Sequence, residues 1–308
     1  CNPENLSLLA TFPRFRMLEK KYGSLIRGML GMQRSQPPRP QDITTFMTFR
    51  EGMEELVTAL ARRLTGQVLL GQRAMGWERR EGGYRLLLAD GTFLEADAVV
   101  LTFPAYIAAR WVRPFLPEAA CLLEAIPYVS TATVSLGYKA EDCPHPLKGF
   151  GFVVPRREPC RLLACTWTSS KFPHRAPPGH VLLRAFLGGW REEGLVEKAT
   201  EEEMVAIVRE EFRRLLGIQA PPKVQRVYRW IRANPQYQVG HLERVRRLQG
   251  LLEEHLPGAF LAGSPYEGLG IPDCIAQGRE VAQKVLAWLT GPPGQRETSP
   301  PGSFGSAP

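Results

Sequence analysis

Residues 260–286 read FLAGSPYEGLGIPDCIAQGREVAQKVL. Their pattern changes twice. Residues 258–263 are a short apolar run closed by Gly263, and 264–270 hold two more glycines, Gly268 and Gly270. Ile271-Pro272-Asp273 then opens a segment carrying Ile275, Ala282, Val285, Leu286 and Leu289. Pro is favoured in a first helical turn, where its missing N–H leaves no bond unmade, and Asp suits the positive end of the helix dipole. The stretch therefore predicts strand, loop and helix. Backbone N–H groups and the dipole at such a helix start form a cradle for anions and cofactors, and glycine lets another group approach the backbone. The residues alone leave both a binding loop and a plain turn open.

Outward from this stretch, 67–104 is the clearest β region. A strand is predicted over 68–75, followed by Gly76-Trp77-Glu78-Arg79-Arg80, a turn at 81–83 and a strand at 84–88. The Asp90-Gly91 pair easily adopts the positive φ of a tight turn. Residues 98–102 (AVVLT) form an apolar strand of the kind buried on both sheet faces, expected to share a sheet with 258–263. Further strands over 129–138, 149–154, 162–167 and 181–187 predict a second, mixed sheet. Residues 201–216 form an amphipathic helix whose inner face is Met204, Ile207, Val208, Phe212 and Leu215.

Near the start, 6–30 is predicted mainly helical, with Leu8, Phe12, Phe15, Leu18, Tyr22, Leu25 and Met29 on one buried face. A Pro-rich break at 35–40, a short strand at 45–48 and a helix over 53–64 follow, and 291–308 has the composition of a disordered tail.

A chain of 308 residues implies about two domains by the usual size prior. With 39 Lys and Arg against 31 Asp and Glu the net charge is +8, which favours an anionic partner such as nucleic acid, acidic lipid or a polycarboxylate. Six cysteines without a CxxC pair and five scattered histidines give no zinc spacing and no disulfide scaffold, so a reduced, cytoplasmic setting is expected. The longest apolar run, 96–109, contains Asp97 and Pro104 and is too short to span a bilayer, which leaves peripheral membrane contact open.

Four stretches carry a more specific signal: 260–286, TFPRFRMLEKKYGSLIRGM at 11–29, GFGFVVP at 149–155 and RWIRANPQYQVGH at 229–241. In this order they resemble the protoporphyrinogen and coproporphyrinogen oxidases, FAD-dependent relatives of the amine oxidases, over nearly all of 5–289. The resemblance implies an α/β and α+β fold, the remnant of a two-dinucleotide-binding FAD domain with an inserted mixed-sheet substrate domain. It divides the chain into 1–44 (helical part of the substrate domain), 45–122 (FAD segment with the β-meander), 123–254 (substrate-binding domain), 255–290 (C-terminal FAD segment) and the tail. It implies a porphyrinogen substrate, FAD, molecular oxygen as electron acceptor and no nucleic acid.

The same resemblance assigns cofactor contacts to Ala74, Leu242, Gly263, Leu269, Gly270 and Ile271, and a tetrapyrrole pocket to Phe150, Val153 and Phe186. Strand alternation puts Phe150 with Phe152 and Val153 on the other face, unless a bulge at Gly151 turns the strand. Trp230 and Tyr237 resemble an aromatic pair near the flavin, and Arg229 and Arg232 are candidates for propionates or for a solvated basic face. No catalytic residue is assigned, His174, His180 and His241 included, because hydride chemistry belongs to the cofactor.

The chain departs from the family in one respect. No GxGxxG turn occurs, and a start at Cys1 is expected to mark a fragment or a truncated gene. Without that turn's pyrophosphate cradle the chain alone should hold FAD poorly. Purification of a yellow protein with near-stoichiometric flavin would contradict this. A sister amine oxidase or desaturase, and a non-catalytic remnant unable to hold FAD, are the alternatives.

Overall fold

The computed structural model describes residues 2–35, 46–291 and 305–306. The described residues divide into two compact units, a five-stranded unit of 46–67 and 128–234 and a mixed unit of 2–35, 68–127 and 235–291. This division differs from the sequence expectation in grouping 2–35 with 68–127 and 235–291, and 46–67 with 128–234.

The mixed unit opens with helices α1 (Leu8–Thr11), α2 (Pro13–Tyr22) and α3 (Leu25–Ser35). The expected single helical face is broken: Pro13 restarts the helix, and Gly23 at φ 68° ends α2. Ala10 and Leu18 are buried there, while Leu8, Phe12, Phe15 and Met29 are exposed. The chain at 5–7 is tied to 237–239 through Ser7 N–H to Tyr237 O (2.8 Å) and Val239 N–H to Asn5 O (3.2 Å).

A β-meander follows, with β1 (Ala74–Arg80), β2 (Gly83–Leu88) and β3 (Phe93–Ala96). The strand expected over 68–75 begins only at Ala74, and the run Gly76-Trp77-Glu78-Arg79-Arg80 lies inside it, because Trp77 supplies the core contact that the exposed Val68, Leu69 and Leu70 do not. Strand β4 (Val99–Leu101) lies parallel to β10 (Ala259–Leu261), with Val99, Val100 and Leu101 opposite Ala259, Phe260 and Leu261. The expected shared sheet is present. Its two faces are not both covered: Val99 and Leu101 are buried, whereas Val100 on the other face is 39% exposed. Helices α5 (Ala105–Val112) and α6 (Pro117–Glu124) supply the fully buried Ala105, Ala108, Ala109, Ala119 and Ala120.

Helix α10 (His241–His255), absent from the sequence expectation, runs from Gly240. The loop 263–270 then leads into α11 (Ile271–Thr290), which buries none of its residues; Ile271, Ile275, Leu286 and Leu289 stay exposed. Trp288 ties its far end down, donating to Asp97 O at 3.1 Å. The tail expectation for 291–308 falls almost wholly outside the described residues, except that β11 (Gly305–Ser306) pairs with β1.

The five-stranded unit holds helix α4 (Glu54–Ala61) and a sheet ordered β6 (Gly151–Val153), β7 (Ala164–Trp167), β8 (His180–Gly188), β5 (Tyr128–Lys139) and β9 (Val224–Pro235). Residues 46–49 form no strand, contrary to the reading of 45–48, and Thr45 lies outside the described residues. There the chain is held by Arg175, whose guanidinium donates to Phe49 O at 2.9 Å and Thr48 Oγ1 at 3.3 Å.

One sheet face packs on helices α8 (Glu193–Lys198) and α9 (Glu201–Leu216). Ala132, Val134, Leu136, Tyr138, Cys165, Leu183, Ala185 and Leu187 meet Val196, Met204, Val205, Val208, Phe212 and Leu216 in one core. Helix α9 matches its predicted bounds because its ends are locally encoded: Thr200 and Glu203 form a reciprocal capping box, and Gly217 closes the helix at φ 72°. Leu215, expected inward, is 40% exposed, and Leu216 takes its place.

Candidate cofactor loop and substrate face

The residues assigned to FAD all lie in the mixed unit and those assigned to the tetrapyrrole all lie in the five-stranded unit. In the mixed unit, Ala74 starts β1 opposite Leu88, and the register shifts between Ala74 and Gly76. Leu242 is the second residue of α10 and is half-buried.

Gly263 has φ 122° and Gly268 φ 78°, so both occupy the region glycine favours. Gly270 does not need that freedom, with φ −79°; its N–H donates to Asp273 Oδ2 at 3.1 Å, which caps α11. A Cβ at Gly268 would stand 2.3 Å from Asp273 Cβ, and one at Gly270 3.0 Å from Asp273 Oδ2. Leu269, Ile271, Pro272 and Asp273 are exposed, so the positive end of α11 faces outward. A glycine-lined loop feeding an exposed helix start fits the cradle that a flavin edge requires. The cavity beside it, lined by Tyr266, Gln277 and Val281 among others, measures only about 50 Å³.

Behind the loop sits a buried aromatic pair. Tyr237 (1% exposed) and His241 (0%) stack at 4.0 Å with 13° between rings. Burial, with Arg244 adding like charge, holds the His241 imidazolium below its ordinary range. The sequence likened Tyr237 to an aromatic near the flavin; in the structure its ring stacks on His241 and its hydroxyl donates to Ser264 O at 2.6 Å.

In the five-stranded unit, strand register decides which side chains share a face. Val153 is opposite Ala164, Ala164 opposite Phe186, and Phe186 opposite Thr133, so Val153 and Phe186 share a row. The next row, Phe152, Cys165, Ala185 and Val134, points into the core. Val153 is 79% exposed, Phe186 is half-buried and the small Ala164 lies between them. Two strand spacings separate the pair, about 10 Å.

Phe150 precedes β6 and is exposed, packing edge-on against Phe46 at 5.0 Å. Gly151 at φ 133° breaks the alternation there, and its missing Cβ leaves room for the Cys165 carbonyl, which a Cβ would meet at 2.0 Å. Phe150 therefore does not follow Phe152 into the core.

The same face carries Arg184, exposed, with Nε 3.4 Å from Ser135 Oγ. Sequence reasoning missed Arg184; its alternation with Phe186 and Leu183 was the available signal. Of the two arginines it did raise, Arg229 is structural: its guanidinium donates to Val196 O (2.6 Å) and Ala199 O (2.5 Å), tying β9 to α8. Arg232 has φ 44°, and its N–H donates to Ser130 Oγ at 3.0 Å. On β9 the alternation that turns Val227 to the core turns the exposed Tyr228 and Trp230 to the other face.

No group of three or more His, Cys, Asp or Glu able to hold a metal occurs among the described residues. Burial raises the Cys165 thiol to about 12, which rules it out as a nucleophile at neutral pH.

A parallel strand pair leading through a glycine loop to a helix start is an arrangement that nucleotide-cofactor folds use. The chain belongs to the flavin containing amine oxidoreductase family, whose sequence pattern matches residues 1–286. It is 35% identical over 293 residues to a coproporphyrinogen III oxidase of Bacillus subtilis (strain 168), covering 93% of this chain and 61% of that protein. To the chloroplastic protoporphyrinogen oxidase 1 of Spinacia oleracea it is 32% identical, covering 94% of this chain and 55% of that one. A crystal structure from Exiguobacterium sp. 255-15, described provisionally as a protoporphyrinogen oxidase, superposes with a TM-score of 0.78 at 32% identity, covering 94% of this chain and 61% of that one. Reduced UDP-galactopyranose mutase shares the fold at 18% identity and a TM-score of 0.62. The chain thus spans about three fifths of the length of these first relatives.

Proposed function

We propose that the protein acts in the oxidation of a porphyrinogen, coproporphyrinogen III or protoporphyrinogen IX, to the porphyrin, with FAD as cofactor and molecular oxygen as acceptor. The substrate gives up six electrons and six protons, and three O₂ take them up as three H₂O₂. When bound, the flavin supplies the hydride acceptance and the reoxidation by oxygen. The residues of the chain bind and orient. Loop 263–270 and the start of α11 would meet the flavin through Gly263, Leu269, Gly270 and Ile271, the helix end favouring negative charge on the reduced ring. Leu242 and the backbone of Ala74 are the further contacts.

The observation that carries the substrate half is the open sheet face. Val153 and Phe186 stand in one cross-strand row with the small Ala164 between them, beside the exposed Arg184. A broad, largely apolar tetrapyrrole bearing carboxylates matches such a face: the macrocycle lies on Phe186 and Val153, and a guanidinium pairs with a carboxylate. Phe150 extends the apolar surface. The basic net charge of +8 suits a polyanionic substrate. The described cysteines are all free, in keeping with a reducing, cytoplasmic compartment. No helix among the described residues is long and apolar enough to cross a membrane.

Binding of coproporphyrin III, the stable oxidised product, tests this reading by fluorescence titration. Phe186→Ala should weaken binding about tenfold or more, the usual scale for truncating an aromatic anchor. Arg184→Leu should weaken the free acid but leave the tetramethyl ester unchanged. Wild-type protein that binds neither porphyrin, or a Phe186→Ala variant with unaltered affinity, would refute it.

A further inference from the structure

The structure assigns to Tyr237, His241 and Gln277 a function beyond filling the mixed unit: we propose that they form a three-point clamp that sets the shape of loop 263–270 before any flavin arrives. His241 and Tyr237 are thus positioning residues. The proposal rests on the reading that this loop meets the flavin. It rests equally on the geometry of the loop itself.

Each of the three side chains grips main chain rather than side chain. Tyr237 Oη donates to Ser264 O at 2.6 Å. His241 Nε2 is 2.8 Å from Tyr266 O. A carbonyl oxygen only accepts, so Nε2 carries the proton and the tautomer is fixed. From the other side, Gln277 on α11 accepts the Gly263 N–H at 3.2 Å through Oε1. The gripped groups lie at 263, 264 and 266; Gly263 is itself assigned to the flavin, and Leu269, Gly270 and Ile271 follow a few residues on. Because the bonds go to backbone, they constrain the path of the loop whatever side chains it carries.

The rigidity of the clamp comes from burial. The Tyr237 and His241 rings are at most 1% exposed and stacked at 4.0 Å, so neither ring can turn without opening the core. His241 Nδ1 has no partner among the described residues. A second proton there would therefore be a buried donor without an acceptor, next to Arg244 on the same helix. The neutral imidazole is the form that fits. A loop held in its binding shape in advance spares the ordering cost at the moment of binding.

Hydrogen exchange of the backbone amides at 264–270, on the chain as it stands, tests the clamp. Tyr237→Phe removes one hydroxyl, and His241→Phe keeps a ring but removes the donor. Each should speed loop exchange about tenfold, the scale of one net hydrogen bond, while the amides of α5 and α6 keep their protection. His241→Gln, which restores a donor, should recover part of it.

The folded imidazole titrates below its ordinary 6.5, so its contribution is complete above that pH and is lost as pH falls through the lowered value. Wild-type loop protection should accordingly decline as pH falls through that lowered value, and that of His241→Gln should not. Loop exchange unchanged in both Phe variants, or faster exchange spread evenly over the mixed unit, would overturn the clamp. The measurement needs no flavin, so its failure counts against the clamp alone; an error in the flavin reading would show as FAD affinity indifferent to Gly268 and Gly270 variants.

Discussion

Trp77→Ala should destabilise the mixed unit by about 3–5 kcal/mol, the range for truncating a large aromatic in a core. Trp77 is 0% exposed. Its ring stacks on Tyr84 at 4.9 Å, meets Phe115 edge-on at 5.6 Å and tilts against Trp111 at 6.3 Å. Its Nε1–H donates to Trp111 O at 2.7 Å. One side chain thereby joins β1, β2 and α5, and its loss leaves both a cavity and a buried carbonyl unpaired. Trp230→Ala is the control of equal chemistry, since that ring is 50% exposed. Denaturant midpoints for the two variants should differ widely. Equal midpoints would mean that the meander and α5 do not share a core.

Gly268→Val should disrupt the start of α11 and cost about 2–4 kcal/mol, combining positive-φ strain with loss of a helix cap. At φ 78° a β-branched residue is strained whatever space surrounds it. Space is also lacking, because the added Cβ falls 2.3 Å from Asp273 Cβ and must push that residue off the Gly270 N–H. Gly270→Val should cost less: its φ of −79° is ordinary, and its close contact is with the end of the Asp273 carboxylate at 3.0 Å. Gly278→Ala, with nothing within 4 Å, should be neutral or stabilising. Thermal or denaturant unfolding of the three variants gives the order. A Gly270 variant worse than the Gly268 variant would invalidate the loop geometry described above.

What the sequence determined by itself were features whose cause is local. Helix α9 was legible to the residue because its capping box, its apolar spacing and its terminal glycine lie within the segment. The strand, glycine loop and Pro-Asp helix start around Gly263 and Ile271 were legible for the same reason; the pairing of the short apolar strands at 99–101 and 259–261, far apart in the chain, was expected from the family resemblance rather than from a local cause.

Other features depend on partners far along the chain. Strand β9 was missed because its exposed, Arg-rich pattern satisfies no period until Arg229 reaches the carbonyls of Val196 and Ala199. Helix α10 was missed although Val245, Leu248 and Leu252 recur at helical spacing, for it is rich in charge and starts at Gly240 without a side-chain cap to signal its beginning. The N-terminal helices show the converse, for strong apolar spacing at Phe12, Phe15 and Met29 did not bury them.

The candidate site divides along the same line. Residue types and loop chemistry came from the sequence. That Val153, Phe186 and Arg184 share a face, and that His241 is a buried neutral donor to the loop, came only from the tertiary structure. Register fixes which residues face each other across strands, and burial fixes the ionisation of a histidine. Both are set by contacts between segments that the chain brings together only when folded.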